Sequence, residues 1–298
     1  MNQYAFSLVV SAGLIHAIWN IAAKKAGGDS RFACFTNLIM MVVWAPAGIY
    51  YGWDVVPKWG WTEWLFIAAS GAVHVLYFVT LLRGYRKSDL TVVYPMARGS
   101  GPLISSFAAL LLLGEKISPL GWLGILSVVI GVLLIAGGPS LFRTMLNNSG
   151  SVAQRTRIQK GIYYGLLTGL FIAAYTVIDG YGVKVVLISP ILLYYFCNFF
   201  QAALLLPALW REPAVTLGSW RLQWKYAFVV GTISPLSYIM VLFAMQTAPL
   251  SHVAPAREVS MLFAALIGGQ LLGEGDRLIR LLGALFIAVG VITLGLGS

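Results

Sequence analysis

Charge is what this chain has least of. Only 10% of its 298 residues are Asp, Glu, Lys or Arg, against roughly 25% in soluble domains. Together with 59% hydrophobic residues and a mean hydropathy of +0.83, that scarcity excludes a water-soluble globule. Cysteine is also scarce. Cys34 and Cys197 both fall in apolar runs, which excludes a disulfide framework and a zinc spacing. No Walker loop, nucleophile elbow or metal-ligand spacing occurs, so neither an enzyme nor an ATP-driven pump is expected, and no cofactor or metal. Energy must then come from an ion gradient, from exchange or from the solute's own gradient.

What the chain does have is apolar runs of hydrocarbon length. About 20 residues cross a bilayer as helix, and ten such runs can be drawn: 4–23, 32–51, 61–82, 90–113, 119–136, 162–178, 190–210, 224–244, 250–272 and 278–296. The expected fold class is an all-α polytopic membrane protein with ten transmembrane helices. The first run has no basic segment before it and no cleavage-site residues after it, so it is expected to be retained rather than removed as a signal peptide.

The sequence also repeats itself. Gly114-Glu115, closing the run that carries Arg98, recurs 159 residues later as Gly273-Glu274, closing the run that carries Arg257; over the same offset Gly124 matches Gly283 and Gly131 matches Gly290. With some drift in loop length, Asn37 and Pro46 match Asn198 and Pro207, and Trp19 matches Tyr175. Five helices thus match five, giving one repeat over residues 1–138, a linker over 139–159 and a second repeat over 160–298. An odd number of spans per repeat sends the second copy through the bilayer from the opposite side, an inverted pair with its substrate site between the halves.

The net charge of +10 is read by position, as a membrane signal rather than a nucleic-acid one. Connections after odd-numbered runs, with the run ends that adjoin them, hold fifteen Lys and Arg, those after even-numbered runs only Lys58, Lys116 and Lys184. The positive-inside rule then puts both termini outside the cytoplasm.

Polar groups inside hydrocarbon need a reason, since an Arg at a helix centre costs about 2.5–3.5 kcal/mol on insertion scales. Arg98 and Arg257 lie deep in repeat-equivalent runs. Such a guanidinium offers a fork for carboxylate or phosphate; alternatively it braces kinked helices. Glu258 is either a proton-coupling carboxylate, an ion-pair partner of Arg98 or a structural acid, and as a helical neighbour of Arg257 it is not expected to face it. His16, Trp19 and Asn20 share one helix face, as do His74 and Tyr77, and Tyr94, Tyr175 and Tyr238 are further candidates to wall a solute site; the alternative is interhelical hydrogen bonding. His74 is a second proton-coupling candidate. Pro95, Pro102 and Gly101, Pro235 and Pro255 are each expected to interrupt the backbone ladder, and they concentrate around both arginines, where freed backbone groups are tolerated if they face protein or water. Glu115, Glu274 and Asp179 are expected at helix ends near water, and His252 at a wetted interface.

The stretches GPLISSFAALLLLGE, ending at Glu115, and MLFAALIGGQLLGE, ending at Glu274, resemble the drug/metabolite transporter superfamily, specifically its EamA-type ten-helix members. The resemblance implies two inverted five-helix repeats and secondary transport of small solutes through a central cavity lined by helices one, three, four, six, eight and nine. Arg98, Arg257 and Glu258 fall on two of those helices. One departure is Met261, which stands where the first copy has Pro102. The expected function is alternating-access transport of a small polar, anionic solute such as an amino acid or organic acid; the alternative is proton-coupled export of cationic drugs or amines. The expected partners are the solute, the lipid bilayer and a coupling proton or cation, with no nucleic acid, in a monomer or homodimer of the cell inner membrane.

Overall fold

A bilayer interior offers no water to backbone N–H and C=O groups, so a spanning segment must satisfy them internally, as a helix does. The computed structural model describes residues 1–136, 152–269 and 277–296, and among these all regular structure is helical. The helices are α1 (Gln3–Ala26), α2 (Ser30–Val43), α3 (Ala45–Gly52), α4 (Trp61–Lys87), α5 (Leu90–Leu112), α6 (Pro119–Ala136), α7 (Val152–Lys184), α8 (Pro190–Leu205), α9 (Pro207–Trp210), α10 (Pro213–Thr247), α11 (Leu250–Ala256), α12 (Val259–Gly269) and α13 (Arg277–Leu296). Eight segments are long and apolar enough to cross a membrane, or nine if α2 and α3 form one bent span. This is a multi-pass membrane protein. The run 90–112, which carries Arg98, two prolines and three serines, is helical but is not one of the eight. Glu274 and positions 139–151 of the expected linker lie outside the described residues.

Three of the expected runs are broken. The second bends by 54° between α2 and α3, where Trp44 leaves helical geometry ahead of Pro46. The seventh breaks at Leu206, ahead of Pro207. A proline has no N–H to give and its ring crowds the turn before it, so these matching prolines act at matching places. The ninth run breaks at Arg257 and Glu258, just after Pro255. By contrast α5 runs unbroken through Pro95 and Pro102, and α10 through Pro235.

Other helices outrun their apolar stretch. The sixth run was expected to span 162–178, yet α7 extends from Val152 to Lys184. Asp179 is therefore not at a wet helix end but wholly buried. Hydropathy ends a run at its first charge, whereas the backbone ladder continues through it. His252 is likewise buried in α11 rather than at a wetted surface.

Glycines let certain backbones touch. A Cβ built on Gly131 of α6 would lie 2.6 Å from the carbonyl of Gly283 on α13, and one on Gly124 would lie 3.1 Å from that of Gly290. As the number rises on α6 it falls on α13, so these helices run antiparallel. Gly13 of α1 approaches Ser260 N of α12, at 3.2 Å from its built Cβ, and Gly169 of α7 approaches Gly101 N of α5 at 3.1 Å. Such small-residue contacts are how membrane helices pack closely when burial of apolar surface from water supplies no drive.

The end of α5 is fixed from another element. Gly114 takes the left-handed conformation, φ 64°, and turns the chain so that Glu115 reaches the start of α11. Its carboxylate accepts from Leu250 N at 2.7 Å and Ser251 N at 2.9 Å, with Lys184 Nζ 3.6 Å away. Two of the helix's otherwise unpaired donors are thereby satisfied, by an acid at the favourable end of the dipole.

Candidate functional site

Both deep arginines reach one carboxylate. Glu258, 1% exposed, places Oε1 3.5 Å from Arg98 Nη1 and 3.8 Å from Arg257 Nε. The expectation that chain neighbours 257 and 258 cannot face one another assumed a continuous helix. Here the helix is interrupted at these residues, with Glu258 N bonding back to Pro255 O, and both long side chains bend to the same place. Of the readings drawn for Glu258, the ion pair with Arg98 is the one formed. Its second oxygen has no hydrogen bond among the described residues.

Aromatic groups surround this trio. Arg98 lies over the Tyr94 ring, 5.8 Å from its centroid, and its Nη2 is 3.4 Å from His16 Nε2. Arg257 lies over Tyr175 at 5.7 Å and donates to Tyr175 Oη at 3.2 Å. His16 meets Trp19 edge to face at 4.5 Å, and Trp19 Nε1 donates to Ser237 Oγ at 3.2 Å. His74 stacks on Tyr175 with ring centroids 3.9 Å apart and hydrogen-bonds Ser70 O at 2.9 Å through Nδ1. Tyr77 meets Tyr175 edge to face, and Tyr238 also packs beside it. The residues singled out on α1, α4, α5, α7 and α10, and those in the break between α11 and α12, thus form one cluster. Asn20 is the exception, half-buried and making no hydrogen bond among the described residues.

The charges in this cluster do not cancel locally. Two guanidiniums share one carboxylate, leaving an excess of one positive charge, and Arg98 and Arg257 keep 17% and 12% of their side-chain surface exposed. A partly accessible, aromatic-walled cation inside a membrane protein is fitted to hold an anionic group, which a guanidinium grips with two parallel N–H bonds.

The sequence profile of the EamA-like transporter family matches residues 3–137 and again 159–296. The chain belongs to that family. It is a membrane transporter. An uncharacterized transporter encoded in the cobO 3′ region of a Sinorhizobium species is 29% identical over 125 residues, covering 42% of this chain and 88% of that protein. A solved crystal structure superposes over 100% of both chains with a TM-score of 0.78 at 16% identity, a likeness of fold.

In this EamA-like chain the residue that the sequence put at a wet helix end, and that the fold brings beside this cluster, is Asp179. It lies one turn after Tyr175 on α7 and accepts from Tyr238 Oη at 2.6 Å through Oδ2. The signal was present: an acid four residues from a candidate wall residue occupies the same helix face. Serines 70 and 237 were also missed, because a lone serine in an apolar run carries no pattern.

Proposed function

We propose that the chain is a secondary transporter working by alternating access, built as two inverted five-helix repeats, and that Arg98 and Arg257 together bind the anionic group of a small polar organic solute. The observation that carries this reading is the convergence of two repeat-equivalent arginines, one from each half, on the single buried acid Glu258.

Three further observations support the architecture. The family profile matches once in each half. Packing partners exchange when the halves are exchanged: α1 packs on α10 and α12 as α7 packs on α4 and α5. Gly124 meets Gly290, the equivalent of Gly131, while Gly131 meets Gly283, the equivalent of Gly124; this reciprocity belongs to an antiparallel two-fold relation. Such symmetry supplies two equivalent access states around one fixed site. The basic-residue bias supports an inner-membrane location with both termini outside the cytoplasm.

Export of cations through Glu258 is the weaker reading, since two guanidiniums within 4 Å of that carboxylate would repel a positive solute. The reading is tested by a melting-temperature screen of the purified protein against amino acids, organic acids, phosphonates and quaternary amines. A bound ligand stabilises the folded form. The stabilising class is then carried into proteoliposome uptake, where Arg98→Gln and Arg257→Gln are each expected to lower transport by roughly tenfold or more. Unaltered uptake of an anionic solute by both variants removes the arginines from the mechanism.

A further inference from the structure

Asp179 lies outside the charge balance just described. It is fully enclosed in α7, makes no ion pair among the described residues, and has one oxygen, Oδ1, without any hydrogen bond. The acids Asp29, Asp89, Glu115, Glu212 and Glu258 each have a basic partner within 4 Å. A carboxylate taken out of water without a counter-charge is strongly disfavoured, and a buried acceptor with no donor is uncommon. Its short bond comes from the neutral hydroxyl of Tyr238, with the Ser70 hydroxyl and the His74 ring also beside it.

Its position ties this orphan to the arginines. Tyr175 lies four residues earlier on the same face of α7, with its hydroxyl 3.2 Å from Arg257. Tyr238, which bonds Asp179, packs with its ring centroid 6.4 Å from that of Tyr175. The site thus has a pole with one surplus positive charge, formed by Arg98, Arg257 and Glu258, and, at Asp179, an enclosed carboxyl with no basic partner within 4 Å among the described residues. Two tyrosines stand between them.

Resting on the reading of the arginine pair as the anion site, we propose that Asp179 is a second, cation-binding pole of the same site, and that the solute is a zwitterion. Its acid group pairs with the guanidiniums and its ammonium donates to Asp179 Oδ1. Matching charge at both ends selects partners more than it adds affinity, because a wrong ligand leaves a buried group unpaired. A solute with the acid alone leaves Asp179 bare. One with the amine alone leaves the guanidinium surplus uncompensated.

The test uses the full chain purified in detergent. The probes are the common α-amino acids and a series of ω-amino carboxylates, each compared with the carboxylate lacking its amine and the amine lacking its acid. Wild type is expected to be stabilised by at least one zwitterion, at concentrations roughly tenfold or more below those needed for its singly charged counterparts. Asp179→Asn is expected to weaken the zwitterion and erase its advantage over the carboxylate, while Arg98→Gln weakens both. The proposal is overturned if no zwitterion stabilises the wild type, if the bare carboxylate binds it equally well, or if Asp179→Asn keeps the wild-type preference. Should Asp179→Asn fail to fold, the wild-type comparison decides. If Arg98→Gln alone leaves binding unchanged, the arginine reading fails, and the Asp179 result is judged separately.

Discussion

The two segments that carry the arginines match in sequence at several positions, 98 with 257 and 115 with 274 among them, and differ in backbone and charge. In the first half, α5 runs from Leu90 to Leu112 without a break, although Pro95 and Pro102 both lie within it. In the second, α11 stops at Ala256 and α12 starts at Val259, with Arg257 and Glu258 in the interruption. Proline content does not explain the difference, since the broken segment holds fewer prolines. What distinguishes the second copy is an acid where the first has Gly99. A Cβ built on Gly99 would lie 3.0 Å from Leu133 of α6, so that position faces helix packing. Glu258 instead meets both guanidiniums. Charge pairing as well as Pro255 accompanies the break.

Four substitutions sharpen this contrast. The largest effect is expected from Glu258→Gln, which leaves two buried guanidiniums facing each other; losing one partner of a buried pair costs about 3–5 kcal/mol, and a clear fall in melting temperature is expected. Adding Gly99→Glu to that variant should not restore stability, because the new side chain would point at Leu133. Restoration would mean that the two copies are interchangeable at this position. Next is Tyr175→Phe, which takes a hydrogen-bond acceptor from Arg257; bonds to charged groups are worth about 1.5–3 kcal/mol, read by denaturant or thermal unfolding in detergent. The smallest is Ser237→Ala, which removes the neutral partner of Trp19, the residue matching Tyr175 in the other half. About 1 kcal/mol is expected there. Equal losses for the last two would show that the halves stabilise their aromatic walls alike.

The sequence made the helices legible because hydrocarbon imposes a length, and each of the ten apolar runs is occupied by helix where it is described. Pro46 and Pro207 were legible only as matching positions, while three of the four prolines expected to interrupt their helices, Pro95, Pro102 and Pro235, are carried inside unbroken ones. The gathering of Arg98, Arg257, Trp19 and Tyr175 was readable from repeat equivalence alone. The depth of Asp179 was not. Hydropathy ended its helix at the acid itself, and only the packing of α4 and α10 against α7 shows that the charge stays buried. Nor did spacing reveal the task of Glu115. Its partners, Leu250 and Ser251, are 135 and 136 residues away, beyond any local pattern.

The seam between α6 and α13 has a consequence for how such a molecule changes over generations. Where Gly124 meets Gly290 and Gly131 meets Gly283, bulk added to one strand of ancestry must be matched by space yielded in the other, and a glycine has none to yield. The halves are free to diverge at a position such as 99 and 258, where each faces different company. Along the seam the two helices can change only together, and the likeness of their glycine spacing is held in place there.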